Sequence, residues 1–139
     1  MSNAIIIVDD SPDDANLIRR VVLGLHPKAS VQSVTSGLNL KAYLEGHGSY
    51  ADRDTFPYPS LILLDLRMPE MDGFEVMEWL KSQPLHAAIP VIVMSAFDQQ
   101  KNISKAYQLG ARTFLSKPVN PEQIRDALRA LRLPIEFAV

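Results

Sequence analysis

The sequence predicts an α/β fold: one parallel β-sheet, covered by helices on both faces, built from five strand–helix repeats. Short apolar runs alternate with segments of helical periodicity along the whole chain. Several of these runs are continuously apolar, the pattern of strands buried on both faces. At 139 residues and 47% hydrophobic content the chain fits one domain with a real core. That domain is expected over residues 1–139, with its core at about 4–132 and a short C-terminal tail.

The first repeat opens with an apolar strand from Ala4 to Asp9. Ser11 is the expected N-cap of the following helix, with Pro12 at its first position and Asp14 at the capping-box position. Ile18, Val21, Val22 and Leu25 give that helix one buried stripe, and Pro27 stops it. The second repeat is weaker, with a strand over Ala29–Val34 and a short helix marked by Leu40, Tyr43 and Leu44 that ends near Gly46. From His47 to Pro59 two prolines, several charges and no periodicity predict a long loop, either a surface excursion or a partner-binding element.

The third strand is Leu61–Leu64, broken by Met68-Pro69, and Asp72-Gly73 precedes a helix carrying Val76, Met77 and Leu80. Pro90 opens a fourth strand, Val91–Met94. The helix expected from Asp98 to Leu109 places Ile103, Ala106 and Tyr107 on one face and stops at Gly110. Thr113-Phe114-Leu115 is a fifth, short strand. Asn120-Pro121 starts the last helix, with Gln123 at the capping-box position and Ile124, Ala127, Leu128 and Leu131 facing inward.

Composition excludes several functions. The net charge of −2 provides no long-range attraction to nucleic acid or to anionic membranes. With no cysteine there is no disulfide, thiol catalysis or cysteine-ligated zinc. The apolar runs are too short to span a bilayer, and no signal-peptide layout precedes the first strand, so a soluble cytoplasmic domain is expected.

Chemistry gathers where the strands stop. Asp9 and Asp10 end the first run, Asp65 the third, Ser95 the fourth and Lys117 the fifth. In parallel sheets ligands bind beyond the carboxyl ends of the strands, near the reversal of strand order. Three aspartates in one cleft repel one another, which a hard cation such as Mg2+ relieves through oxygen ligands. A carboxylate can be a nucleophile toward phosphorus, and the transferred group needs positive charge and donors around its oxygens. A Lys117 ammonium and a Ser95 hydroxyl are groups of that kind. The isomer of Lys117-Pro118 is open from sequence.

The segments Ile7-Val8-Asp9-Asp10-Ser11, Leu64-Asp65-Leu66-Arg67-Met68-Pro69, Met71-Asp72-Gly73, Met94-Ser95-Ala96 and Ser116-Lys117-Pro118, in this order, resemble the receiver (response-regulator) domain of two-component signalling. The resemblance covers nearly the whole chain. It implies a flavodoxin-like (βα)5 doubly wound parallel sheet with strand order 2-1-3-4-5. It implies Asp65 as phosphoacceptor from a phosphohistidine of a sensor histidine kinase. Asp9, Asp10, Asp65 and the backbone carbonyl of Arg67 would hold Mg2+, with Mn2+ as substitute. Ser95, Lys117 and Phe114 match the phosphate-binding and switch positions, and Arg67 and Phe97 the positions that tune hydrolysis. The insert ending in Tyr58-Pro59-Ser60-Leu61 looks like that of stand-alone receivers serving phytochrome kinases. Slow self-dephosphorylation and no separate catalytic or effector domain are expected, with output through an unknown downstream protein or a homodimer. The helices of the last two repeats, with Phe137 or Val139, are candidate dimer contacts.

Each residue has a plainer reading. An Asp after a strand is often a turn or cap residue, and a Phe at position 114 can be simple core. Leu17 and Leu23 lie off the buried stripe of the first helix; Leu17, with Pro118, is a candidate kinase contact, although single exposed leucines are ordinary. His26, His47 and His86 fall in loops with no ligand spacing, and Trp79 flanks a core face. Competing functions are a degenerate receiver that binds partners unphosphorylated, a phosphatase of the haloacid-dehalogenase type and a flavin carrier. The first usually lacks an acid, the acceptor or the lysine, all kept here. The second resembles Asp-x-Asp, where this chain has Arg67, which cannot act as acid/base. The third needs a Ser/Thr/Gly-rich phosphate loop, where this chain has aspartates at 9, 10, 13 and 14.

Overall fold

A computed structural model of the protein describes residues 4–131. The elements are β1 (Ala4–Val8), α1 (Pro12–Leu25), β2 (Ser30–Val34), α2 (Gly37–Glu45), β3 (Leu61–Leu64), α3 (Gly73–Ser82), β4 (Val91–Ser95), α4 (Gln100–Gln108), β5 (Thr113–Ser116) and α5 (Pro121–Ala130). The strands form one sheet in the order β2-β1-β3-β4-β5, every neighbouring pair parallel. The chain winds from β1 to β2 on one side, then crosses to β3 on the other. The order therefore reverses at β1/β3, where Val8 pairs with Leu64.

Continuous apolar strands divide by the two-residue side-chain period. Ile6, Val8, Ile62, Leu64 and Val93 face α2, α3 and α4, where they meet Leu40, Tyr43, Val76, Met77, Leu80 and Ala106. Ile5, Ile7, Leu61, Leu63, Ile92 and Met94 face α1 and α5, against Ala15, Ile18, Val22, Ile124, Ala127 and Leu128. Both faces are dry, so a slip of one residue in any central strand would exchange two cores.

Three expectations need correction. Helix α4 is shorter than Asp98–Leu109, and its face is rotated: Tyr107 is exposed while Asn102 is buried beside Ala106. Apolar periodicity would turn Tyr107 inward, but its hydroxyl accepts a hydrogen bond from the Phe114 amide (3.2 Å). Leu23 is not fully off the buried side of α1; it is half-buried against the α1/α5 core. The segment from His47 to Pro59 contains a 3-10 turn, Gly48–Ala51, and is packed rather than an excursion. Tyr43, Tyr50 and Phe56 form a ring cluster with centroids 5.0–6.0 Å apart. The Arg53 guanidinium donates to the carbonyls of Tyr43, Leu44 and Phe56, and so caps the end of α2 from across the loop.

His26 and His86 are buried. His86 Nδ1 is hydrogen-bonded to the Tyr58 hydroxyl, and its ring lies against Tyr58 and Trp79. The Lys117–Pro118 bond is cis. Phe137 and Val139, named as dimer contacts, lie outside the described residues. Among the described residues no helix is long and apolar enough to cross a membrane.

Candidate functional site

The site lies at the carboxyl edge of the sheet, across the β1/β3 reversal. Asp9 follows β1, its amide donating to Val34 O on one side (3.1 Å), and Asp65 follows β3, its amide donating to Val8 O (2.9 Å). The ladder thus extends one residue past each strand and sets the two carboxylates side by side. Lys117 follows β5, its amide donating to Ser95 O (3.1 Å). Its side chain returns over β4 to reach both acids.

Lys117 Nζ lies 2.7 Å from Asp9 Oδ2, 2.8 Å from Asp14 Oδ2 and 3.1 Å from Asp65 Oδ2. Burial pulls the pKa of this ammonium down, but hydrogen bonds to Asp14 and Asp9 and the charge of Asp65 outweigh it and hold it above the usual lysine range. Asp9 is nearly inaccessible, and burial pushes its carboxyl above the ordinary value against the opposing pull of Lys117 and the Ser11 amide.

Asp10 is exposed beside this pair, and Asp9, Asp10 and Asp65 each offer a carboxylate oxygen within 4.8 Å of the others. Three hard oxygen donors at that separation suit a small divalent cation. An open pocket of 430 Å3, lined by Asp10, Arg67, Met68, Pro69, Phe74 and Phe97 among others, adjoins them. The Arg67 guanidinium sits over the Phe97 ring, 5.2 Å from its centroid, on the pocket wall. The Arg67 amide points at Asp65 Oδ1 (3.4 Å).

Ser95 is buried at the end of β4, and its Oγ accepts a hydrogen bond from the Phe97 amide (3.0 Å). Phe114 is half-buried on β5 against the α4 side of the core. Leu17 is exposed on α1 and Pro118 is exposed next to Lys117. The geometry therefore gathers Asp9, Asp10, Asp65 and Lys117 tightly. Ser95, Arg67, Phe97 and Phe114 form the flank.

Sequence reasoning missed one member. Asp14 stands where the second half of a capping box is expected, yet only the first half forms: Ser11 Oγ accepts from the Asp14 amide (3.3 Å). The Ser11 amide, which the box would give to Asp14, donates to Asp9 Oδ1 instead (2.9 Å). The Asp14 carboxylate is thereby released to meet Lys117, 103 residues away in the chain. A fourth aspartate, in the first turn of α1, was the available signal; its partner was not visible without the fold.

Comparison with known proteins agrees with this geometry. The model for the response regulator receiver domain matches residues 5–129. Response regulator Rcp1 of Synechocystis is 32% identical over 116 residues, covering 84% of this chain and 77% of the relative. Sporulation initiation phosphotransferase F of Bacillus subtilis is 32% identical over 129 residues, covering 93% of each. Among solved structures, the phosphorylated cyanobacterial phytochrome response regulator RcpA has a TM-score of 0.78 at 31% identity, covering 94% of this chain and 91% of that one. The Mn2+-bound form of Rcp1 has a TM-score of 0.74 at 29% identity, covering 92% and 90%. With order β2-β1-β3-β4-β5, the acid cluster and the family match together, the chain belongs to the response regulator receiver domains of two-component signalling.

Proposed function

We propose that Asp65 is the phosphoacceptor and that the phosphoryl group comes from the phosphohistidine of a sensor histidine kinase. The observation that carries this is the placement of the Lys117 ammonium between Asp9 and Asp65 (2.7 and 3.1 Å), with Asp10 alongside. In the transfer an Asp65 oxygen bonds to phosphorus as the P–N bond to the imidazole breaks, and the imidazole nitrogen keeps the electron pair and takes up a proton. Lys117 and the Ser95 hydroxyl, which can still donate its proton while its Oγ accepts from the Phe97 amide, would donate hydrogen bonds to the phosphoryl oxygens.

Asp9, Asp10 and Asp65, with the Arg67 backbone carbonyl, would hold Mg2+ or Mn2+. When bound, the cation supplies charge neutralisation for the carboxylates and the phosphoryl oxygens. Arg67 and Phe97 flank the acceptor and limit access of water, so self-dephosphorylation is slow. Phe114 follows Ser95 inward, and the change is read on the face of α4 and β5 by a partner protein or a second copy of the chain. The likeness to Rcp1 and RcpA supports a phytochrome-type kinase as donor, with Leu17 and Pro118 on its side of the site.

Incubation with acetyl phosphate and Mg2+, read by intact mass beside Asp65→Asn, tests the reading. A phosphate-sized gain in wild type, absent in the variant and absent without Mg2+, is expected. A gain that persists in Asp65→Asn would place the acceptor elsewhere.

A further inference from the structure

The Lys117 ammonium has three carboxylate partners, and one of them differs from the other two. Asp9 and Asp65, with Asp10, form the group whose carboxylate oxygens lie within 4.8 Å of one another, and Asp14 is outside that group. Asp14 comes from α1, not from a strand end, and its side chain is 45% exposed while Asp9 and Asp65 are at 2% and 10%. Its contact with Lys117 is nonetheless as close as that of Asp9. Lys117 itself is mostly covered, so losing a partner there leaves a charge that water can rescue only in part.

We infer that Asp14 is a positioning residue: it anchors Lys117 beside Asp65 when a cation engages Asp9, so that the ammonium stays where the phosphoryl oxygens arrive. This inference rests on the reading of Asp65 as acceptor. A cation and an ammonium compete for the Asp9 carboxylate, since both draw on the same lone pairs. Without Asp14, the lysine would keep only Asp65 as a carboxylate partner, whose contact is the longest of the three (3.1 Å). That carboxylate is also the one that must turn toward phosphorus. With Asp14 in place, Lys117 is held by a group that takes part in neither role. The local structure is arranged for this: Asp9 occupies the Ser11 amide, which leaves the Asp14 side chain without its usual capping duty.

The test compares wild type, Asp14→Asn, Asp14→Glu and Asp13→Asn, the last an exposed neighbour that carries the same charge in the first turn of α1. The first readout is the 1H–15N signal of the Lys117 ammonium in saturating Mg2+, assigned by its disappearance in Lys117→Arg. The second is the rate of mass gain with acetyl phosphate. The signal is expected in wild type, Asp13→Asn and Asp14→Glu and lost to solvent exchange in Asp14→Asn. The rate is expected to fall about fivefold or more in Asp14→Asn, to recover in Asp14→Glu and to stay near wild type in Asp13→Asn. A signal missing from wild type, a signal retained in Asp14→Asn or, where wild type gains phosphate, an unchanged rate in Asp14→Asn overturns the inference. If wild type gains no phosphate but the signal is lost only in Asp14→Asn, the placement of the lysine by Asp14 stands and acetyl phosphate gives the acceptor reading no support.

Discussion

Gly73 presses its Cα against the backbone of Asp65: a Cβ built at Gly73 would lie 2.5 Å from the Asp65 carbonyl oxygen and 2.6 Å from Leu66 Cα. Both obstacles are backbone, so neither can rotate away. The Gly73 amide donates to Leu66 O (2.8 Å), and the Asp72–Glu75 capping box fixes the start of α3 there. The first turn of α3 thus buttresses the loop that carries Asp65. Gly73→Ala is expected to cost about 1–3 kcal/mol in urea unfolding and to slow phosphorylation, because either the loop or the helix must shift. An unchanged rate in a destabilised variant would show that the buttress serves folding alone.

Divalent cation should stabilise the protein. Asp9, Asp10 and Asp65 repel one another, a repulsion that the Lys117 ammonium offsets in part, and a ligand that binds only the folded state adds stability by mass action. At a hundredfold excess over Kd, Mg2+ is expected to add about 2.7 kcal/mol, visible as a higher Tm that EDTA reverses. Asp10→Asn should remove most of this increment; a full Mg2+ response in that variant would take Asp10 out of the cation site.

Phe97 carries the lifetime prediction. Its ring lines the pocket that adjoins the acid cluster, under the Arg67 guanidinium. Phe97→Ala opens a path for water and should shorten the phosphorylated state several-fold, measured as the decay of the phosphate-sized mass gain after removal of acetyl phosphate. An equal or longer lifetime would assign the barrier elsewhere.

Stability should fall in mild acid through the buried imidazoles. Burial depresses both His26 and His86, and the nearby Arg53 lowers His86 further while Glu45 opposes it. The folded state therefore binds fewer protons than the unfolded chain. This contribution is complete above the ordinary histidine pKa of about 6.5 and is lost as pH falls below it. Urea midpoints at pH 7.5 and 5.5 should differ less in His86→Gln than in wild type. Equal differences would remove His86 as a source of the slope.

The insert before β3 is held by Tyr43 as much as by Arg53. Burial raises the Tyr43 hydroxyl to about 12, so it stays protonated and donates to Pro57 O (2.8 Å). Tyr43→Phe strands that carbonyl and should cost about 1–2 kcal/mol with little effect on phosphorylation, since the cluster lies apart from the acid site. A stability loss near zero would mean that water replaces the donor.

Sequence alone determined the five repeats, because burial on both sheet faces writes itself as unbroken apolar runs such as Ile5–Val8 and Leu61–Leu64. It also determined Asp9, Asp10, Asp65, Ser95 and Lys117 as one set, because in a parallel sheet every strand delivers its last residue to the same edge. Tertiary structure decided what depends on a second segment. Asp14 satisfies a cap rule locally, and only the approach of Lys117 from β5 gives its carboxylate another partner. Tyr107 has the hydrophobicity of a core residue, yet Asn102 takes the inward place and Tyr107 serves the Phe114 amide. The stretch from His47 to Pro59 has no period to read, since rings and one guanidinium order it by contacts with α2 and α3–β4 rather than by a repeating backbone pattern. Local periodicity records which face of an element is dry; it carries no record of which polar group from a distant strand will meet another.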